Sequence, residues 1–220
     1  MNEKKVLLIV PTRKRPQSSI DFFESFKDNS SFTDLLFGLD DDDDQNYPRI
    51  SNVLYEVGPR LGMNGTLNKI ALKYVDRYPY IAFMGDDHRI RTKDWDLHLT
   101  NLIGDLGLAY GNDLFAKERL PTSVVMSANI IKAIGFVAPP KIRHLFIDDF
   151  WLTLGKRLNG LHYSEETIIE HLHYMNGKAD KDDSYIESNS NYWPDKSAFD
   201  EYMESEFEAD IQKIQALVAK

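Results

Sequence analysis

The residues best suited to chemistry come directly after a short apolar run at residues 80–84. They are two carboxylic acids and an imidazole, Asp86, Asp87 and His88. An apolar run of this length predicts a buried strand, and open α/β sheets bind their ligands at the carboxyl ends of such strands. These groups therefore predict a site for a divalent cation that holds an anion such as a diphosphate. The alternative interpretation is a solvated acidic turn.

A basic loop follows the first predicted strand, residues 6–10. The loop contains Pro11, Thr12, Arg13 and Arg15. Arginine side chains and backbone amides at a strand end are suited to binding a nucleotide. This second strand-end feature strengthens the interpretation of the acidic pair as a cation site.

A longer acidic run, five aspartates at residues 40–44, follows the strand predicted at residues 33–39. Crowded like charges usually form a solvated loop. The run also lacks the glycine and the distal glutamate of an EF-hand calcium loop. Asp40, at the strand end, is the member best placed to contact a ligand, for example the edge of a base.

Two further segments each allow a structural and a functional interpretation. Arg60, Asn64 and Asn68 surround a glycine-containing helix start, where Asn64 is either the helix cap or, with the other two, a contact to phosphate or sugar. Asp148 and Asp149 open a helix predicted at residues 146–158. Acids in a first turn favour the helix dipole. The functional alternative makes one of them a general base.

Two histidines near the end of the chain, His171 and His173, follow a β-branched run that predicts a strand at residues 167–172. Residues two apart in a strand share a face, so both imidazoles are candidates for one metal site. The last strand would bring one of them back to the acidic pair. His144, in a proline-containing loop, is a further polar candidate, and Trp151 is a candidate platform for a sugar or base.

The composition bounds the class of protein. The chain has 220 residues, no cysteine and a formal net charge of −9. The length predicts one domain, with or without an appendage, and the missing cysteines exclude disulfides and thiolate metal sites. No apolar stretch approaches the ~18 residues of a membrane span, and the apolar run near residue 1 is too short for a secretory signal. We therefore expect a cytoplasmic protein for which duplex nucleic acid is a disfavoured partner.

Strands alternate with helices in the first half of the chain, which predicts a mainly parallel sheet with helices on both faces. The second half is less regular. Residues 176–194 are polar and predict a loop, whose tyrosines and Trp193 are candidates for a lid. Residues 197–218 predict a C-terminal helix. The other predicted strands are residues 52–57, 108–110 and 123–126, and the other predicted helices are residues 20–27, 64–75, 95–106 and 129–134.

Taken in order, these motifs resemble those of nucleotide-sugar glycosyltransferases of the GT-A fold, close to bacterial glycosyltransferase family two. The resemblance covers residues 5–178. Gly85, Asp86, Asp87 and His88 stand where that family has an Asp-x-Asp motif, and Asp148–Asp149 stands where it has a Glu-Asp base. The other matching segments are residues 10–16, Asp40, residues 60–68, residues 127–129, residues 134–136, and His171 or His173.

The resemblance implies an α/β protein of the GT-A (nucleotide-diphospho-sugar transferase, Rossmann-like) fold with a mainly parallel central sheet. A nucleotide-sugar-binding half would occupy residues 1–110 and an acceptor half residues 111–195. Residues 196–220 would pack on the domain or on a partner in a homodimer. The implied reaction moves a sugar from a UDP-type nucleotide sugar to a hydroxyl acceptor. The acceptor class stays open between glycan, small molecule, protein and modified DNA.

The resemblance also implies a role for each candidate residue. Asp149, or its neighbour Asp148, would take the acceptor proton. Asp87 and a late histidine, His171 or His173, would hold Mn²⁺ or Mg²⁺. Contacts to the acceptor are expected from Asn129, His144 and Trp151. Contacts to the nucleotide sugar are expected from Pro11, Thr12, Arg13, Arg15, Asp40, Arg60, Asn64, Asn68 and Asp86.

Three rival interpretations share the acidic and basic strand ends. A sugar nucleotidyltransferase would use similar metal ligands, but the basic loop lacks the glycine-rich signature of that class. A binding domain without activity would not need the acidic pairs and histidines. A viral glycosyltransferase acting on hydroxymethylated DNA bases in a host cytoplasm would use Lys141, Arg143 and His144 against phosphates.

Overall fold

The computed structural model describes residues 5–217, so the predictions for residues 1–4 and 218–220 lie outside the described part. The eight strands are β1 (Val6–Thr12), β2 (Thr33–Asp40), β3 (Leu54–Gly58), β4 (Tyr80–Phe83), β5 (His88–Ile90), β6 (Leu108–Asn112), β7 (Val124–Ser127) and β8 (Leu161–His171). The α-helices are α1 (Pro16–Lys27), α2 (Gly62–Tyr74), α3 (Trp95–Thr100), α4 (Ala128–Ile134), α5 (Ile147–Arg157), α6 (Asp183–Ser190), α7 (Tyr192–Ser205) and α8 (Phe207–Gln215).

The strands form one mixed sheet in the order β3-β2-β1-β4-β7-β6-β8-β5. The first four strands in this order are parallel, which confirms the parallel arrangement predicted from the first half of the sequence. β7 is antiparallel to both of its neighbours, and β5 is antiparallel to β8. The irregular second half of the sequence therefore corresponds to the mixed part of the sheet.

Both faces of the sheet are covered, as the sequence predicts. Alternate residues of β1 enter two different cores, because successive side chains of a strand point to opposite faces. Leu7 and Ile9 pack with α2, α4, α5 and α8, whereas Val6, Leu8 and Val10 pack with α1 and α3. This double burial explains the uninterrupted apolar run. No helix within residues 5–217 has the length and apolar character required to cross a membrane.

The end of the chain differs from its prediction. Residues 176–194 were expected to form a loop, but they contain α6 and the start of α7. Asp182 caps α6 by accepting hydrogen bonds from the backbone amides of Ser184 and Tyr185, which offsets the weak helix preference of this polar segment. The prediction of a single C-terminal helix is also wrong, since the helix is interrupted at Glu206, between α7 and α8. Phe207, Ile211 and Ile214 of α8 lie in the core.

The sheet brings the functional loops to one edge. β1, β2 and β4 are parallel neighbours, so the segments after Thr12, Asp40 and Phe83 all leave the same edge. β8 returns to that edge because it pairs with β5, in a register that puts His171 opposite His88. The carboxyl ends of sequence-distant strands thus converge.

Candidate active site

A carboxylate and two imidazoles form the centre of the site. His88 Nδ1 lies 3.4 Å from Asp87 Oδ1, and His171 Nε2 lies 3.4 Å from Asp87 Oδ2. One candidate ligand atom from each of the three residues lies within 4.8 Å of the others. The β5–β8 pairing positions the histidines, and the turn after β4 positions Asp87. We call Asp87, His88 and His171 the cation cluster.

The chemistry of the cation cluster fits a divalent metal. Burial opposes ionisation of Asp87, but the hydrogen bonds and charges of the two imidazoles outweigh it and hold the pKa of this carboxyl well below its usual range. The ring nitrogens beside Asp87 are His88 Nδ1 and His171 Nε2. With the carboxylate they are ligand types that divalent metals accept.

The basic loop meets the acidic turn, as the sequence predicts. Thr12 Oγ1 donates to Asp86 Oδ2 over 2.5 Å, and Arg15 Nη1 donates to Asp86 Oδ1 over 3.1 Å. The same Arg15 nitrogen lies 3.8 Å from Asp87 Oδ2. Burial, followed by the charge of Asp87, raises the pKa of Asp86. A cation held by Asp87 and the Arg15 guanidinium can therefore contact the same bound anion.

The start of the five-aspartate run also lies against the basic loop. Arg13 donates to Asp40 Oδ2 and to Asp42 Oδ2, each over 2.8 Å, and the Lys14 amide donates to Asp43 Oδ2 over 2.5 Å. The run is therefore partly neutralised and not simply a solvated loop. Burial raises the pKa of Asp40 in spite of Arg13, so this carboxylate gains from a further hydrogen-bond donor.

Asp148 and Asp149 occupy different environments in the first turn of α5. Burial, helped by the charge of Asp149, raises the pKa of Asp148 to about 6, and His171 lowers it. Asp148 in turn raises the pKa of His171, so the two side chains are close enough to interact. Burial raises the pKa of Asp149 as well, but the side-chain charge that acts on it is Lys196 of α7. Of the two, Asp148 is the one whose charge interacts with a residue of the cation cluster.

Solved structures resemble the fold of this chain, although no protein-family model and no curated protein matches the sequence. S. aureus TarS aligns with a TM-score of 0.55 and 12% identity over 75% of this chain and 36% of that chain. The mannosyltransferase PcManGT from Pyrobaculum calidifontis, in complex with GDP-Man and Mn²⁺, aligns with a TM-score of 0.55 and 11% identity over 100% of this chain and 75% of that chain. The chain has the GT-A fold.

A third GT-A structure agrees with this assignment. The catalytic domain of Drosophila beta1,4galactosyltransferase 7, in complex with xylobiose, has a TM-score of 0.51 and 14% identity over 84% of this chain and 78% of that chain. Identities this low establish the fold alone, and this chain spans about a third of TarS. The fold class predicted from the sequence is confirmed.

Within the GT-A fold, Asn64 and Asn68 support a loop instead of facing the cleft. Asn64 Nδ2 donates to the carbonyls of Pro139 and Ile142 over 2.8 and 2.7 Å, and Asn68 Oδ1 accepts from the Val137 amide over 2.7 Å. Both asparagines are buried. Their burial against this loop corrects the expectation that they contact phosphate or sugar. Asn64 also lies inside α2, behind the N-cap residue Leu61, which corrects the alternative that it caps the helix. The loop they hold, residues 137–145, carries His144.

Asp195 fixes the end of that loop. Its carboxylate accepts from the backbone amides of Arg143, His144 and Leu145 over 2.9, 3.0 and 2.8 Å. Burial lowers the pKa of His144, and the charges of Asp195, Asp87 and Arg15 act on this imidazole. The sequence patterns did not single out Asp195. This residue lies in the first turn of α7, and the start of that helix had been predicted to be a loop.

Two residues expected at the acceptor lie elsewhere. Trp151 is fully buried, and its Nε1 donates to the Val137 carbonyl over 2.9 Å. It packs in the core because it lies one helical turn after Asp148 on the inner side of α5. Asn129 is exposed at the start of α4, which follows Ser127, opposite Tyr80 at the amino end of β4. The antiparallel direction of β7 thus moves Asn129 to the far edge of the sheet.

The two late histidines have different partners, although their ring centroids lie 5.1 Å apart. His171 belongs to the cation cluster, whereas His173 lies outside it, and its Nδ1 accepts from the Met175 amide over 3.2 Å. His88 takes the expected place of His173. The signal for His88 was present in the sequence, since it directly follows the acidic pair, but its pairing with β8 was not.

Proposed function

We propose that this protein is a metal-dependent glycosyltransferase that moves a sugar from a nucleotide-diphosphate sugar to a hydroxyl acceptor. The cation cluster carries the proposal, because it lies beside the arginine-containing loop at the ligand-binding edge of a GT-A sheet. A cation and a guanidinium next to each other match the charge of a diphosphate. The resemblance to GT-A structures supports the reaction class.

The donor would lie over the ends of β1, β2 and β4. Asp40 is suited to accept the N–H of a uracil or guanine edge, since its carboxylate is already held by Arg13 and gains from a donor. Thr12 and Arg15 orient Asp86, which is then placed to accept from the ribose hydroxyls. A UDP-sugar is our preferred donor, and a GDP-sugar is the comparison that tests it.

Asp87, His88 and His171 would hold the metal, with Mn²⁺ favoured over Mg²⁺ because imidazole ligands suit a transition ion and Mg²⁺ prefers oxygen. When bound, the ion would neutralise charge on the departing diphosphate, which contributes several kcal/mol to lowering the barrier, roughly. Arg15 adds a second positive charge on the same side.

Asp148 would act as the general base, in place of the Asp149 that the sequence favoured. Its Oδ atom would take the acceptor O–H proton while the acceptor oxygen bonds to the anomeric carbon. The bond from that carbon to the phosphate oxygen breaks at the same time, and the electron pair leaves with the nucleoside diphosphate. The charge interaction between Asp148 and His171 supports this choice over Asp149, which interacts with Lys196.

The test is to incubate the protein with UDP- and GDP-sugars and Mn²⁺ or Mg²⁺, and to measure nucleoside diphosphate release. Acceptors offered in parallel should include glycans, small alcohols, proteins and hydroxymethylated DNA. We expect cation-dependent release that an acceptor of one class accelerates and that Asp87→Asn abolishes. Pyrophosphate release from a nucleoside triphosphate and a sugar phosphate would instead establish a nucleotidyltransferase. No release from any donor with either cation would refute the proposal.

A further inference from the structure

Helix α6 reaches across the proposed donor side and contacts three separate loops. Its cap, Asp182, accepts two hydrogen bonds of 2.7 Å from Arg15, one from Nε and one from Nη2. Tyr185 donates its hydroxyl to Asp87 Oδ2 over 2.8 Å, and Glu187 pairs with Arg60. The loops after β1, β4 and β3 are thus all tied to one helix.

Each contact uses a group that the donor or its cation would need. The two-pronged pairing of a guanidinium with a carboxylate has the same geometry as its pairing with a phosphate. The Tyr185 hydroxyl bonds to the Asp87 oxygen that also lies 3.4 Å from His171 Nε2, which is where a cation would bind. A bound nucleotide diphosphate and the observed contacts therefore compete for the same atoms.

We propose that α6 is a self-occluding clasp, in which Asp182, Tyr185 and Glu187 stand in for a diphosphate and its cation and must withdraw before the donor binds. This inference rests on the proposed function, because it names the donor site as the place that α6 covers. The clasp keeps the arginines and the cation cluster paired until a more highly charged ligand replaces the carboxylates.

Two of the clasp contacts are open to solvent. The Asp182 side chain is 43% exposed, and the Arg60–Glu187 pair is more exposed still, so that pair contributes little to stability. Ile186, the one aliphatic side chain of α6, is 56% exposed, whereas Tyr185 is buried against the rings of His173 and Tyr174, so opening must expose Tyr185. Gly177 precedes the helix with a φ of +72°, a conformation that suits glycine and a hinge.

The test measures Mn²⁺-dependent UDP affinity by calorimetry and amide hydrogen exchange of α6 by mass spectrometry. Asp182→Asn removes the charge that pairs with Arg15 but keeps an efficient helix cap. Asp183→Asn is the matched control, since Asp183 lies on the same helix and is exposed. We expect Asp182→Asn to bind UDP about two- to fivefold more tightly than the wild type. Asp183→Asn should bind as the wild type does. UDP with Mn²⁺ should accelerate exchange in α6.

Two results would overturn the clasp. Weaker or unchanged UDP binding by Asp182→Asn would mean that α6 assists the donor or ignores it. Slower exchange in α6 when UDP and Mn²⁺ are bound would mean that the helix closes over the donor instead of withdrawing. Neither result would count against the proposed glycosyl transfer. If the wild type and Asp182→Asn both failed to bind any nucleoside diphosphate, the proposed function would be refuted together with the clasp.

Discussion

His88 and His171 stack face to face, with ring centroids 4.2 Å apart and ring planes 12° from parallel. They are direct partners in the antiparallel pairing of β5 with β8, and Asp87 contacts both. The site is therefore complete only when β8, the last strand in the chain, has paired with β5, the shortest strand. Cation binding should accordingly depend on both histidines.

We expect His88→Gln and His171→Gln each to lower Mn²⁺ affinity by at least about 100-fold. Changing the outer partners of metal ligands already costs 10–100-fold, so losing a ligand should cost more. Isothermal titration calorimetry gives the affinities. His98→Gln is the control, because His98 is exposed on α3. A larger loss from His173→Gln than from His88→Gln would contradict the ligand set.

Asp148→Asn should lower sugar transfer about 10²–10⁴-fold, the usual contribution of a general base. Asp149→Asn should retain most activity, because Asp149 interacts with α7 and not with the cation cluster. Initial rates at saturating donor separate the two variants. The reverse result would restore Asp149 as the base.

The pH dependence of sugar transfer should follow the ionisation of the same carboxyl group, that of Asp148. Burial raises the pKa of Asp148 to about 6, and a base acts only when it is ionised. We therefore expect kcat/KM to rise with pH through about 6 and then to level off. A rate that stays constant between pH 5 and pH 7 would exclude Asp148 as the titrating base.

Asp148→Asn is also expected to stabilise the metal-free fold at pH 7.5. A group whose pKa is raised on folding, here from 3.8 to about 6, contributes full stability below its unfolded pKa and loses it as the pH rises through the folded value. The ionised carboxylate is thus unfavourable at pH 7.5. Replacing it should raise the free energy of unfolding by about 1–3 kcal/mol at pH 7.5 and much less at pH 4.5. Urea denaturation with EDTA present measures both.

Asp195→Ala should destabilise the protein by about 2–4 kcal/mol, because three backbone amides lose their common acceptor. Equilibrium unfolding in urea measures the loss. Glu204→Ala, an exposed position on the same helix, should change the free energy of unfolding by no more than about 0.5 kcal/mol. Equal effects of the two substitutions would show that Asp195 does not anchor the 137–145 loop.

The sequence by itself determined the framework of the site. The runs at residues 6–10 and 80–84 could be identified as strands because burial on both faces requires a continuous apolar segment, and this signal is local. Alternation with helices then required parallel neighbours, so Thr12, Asp40 and Asp86 could be expected at one edge. This reasoning needed no knowledge of packing.

Only the tertiary structure decided which of two adjacent candidates faces the centre. β8 ends at His171, so the rule that residues two apart share a face no longer applies to His173. Successive residues of a helix point about 100° apart, so the rotation of α5 about its axis gives Asp148 and Asp149 different surroundings and turns Trp151 into the core. The contacts of α6 likewise join residues distant in the chain. Such choices depend on strand register and helix packing, which no local pattern encodes.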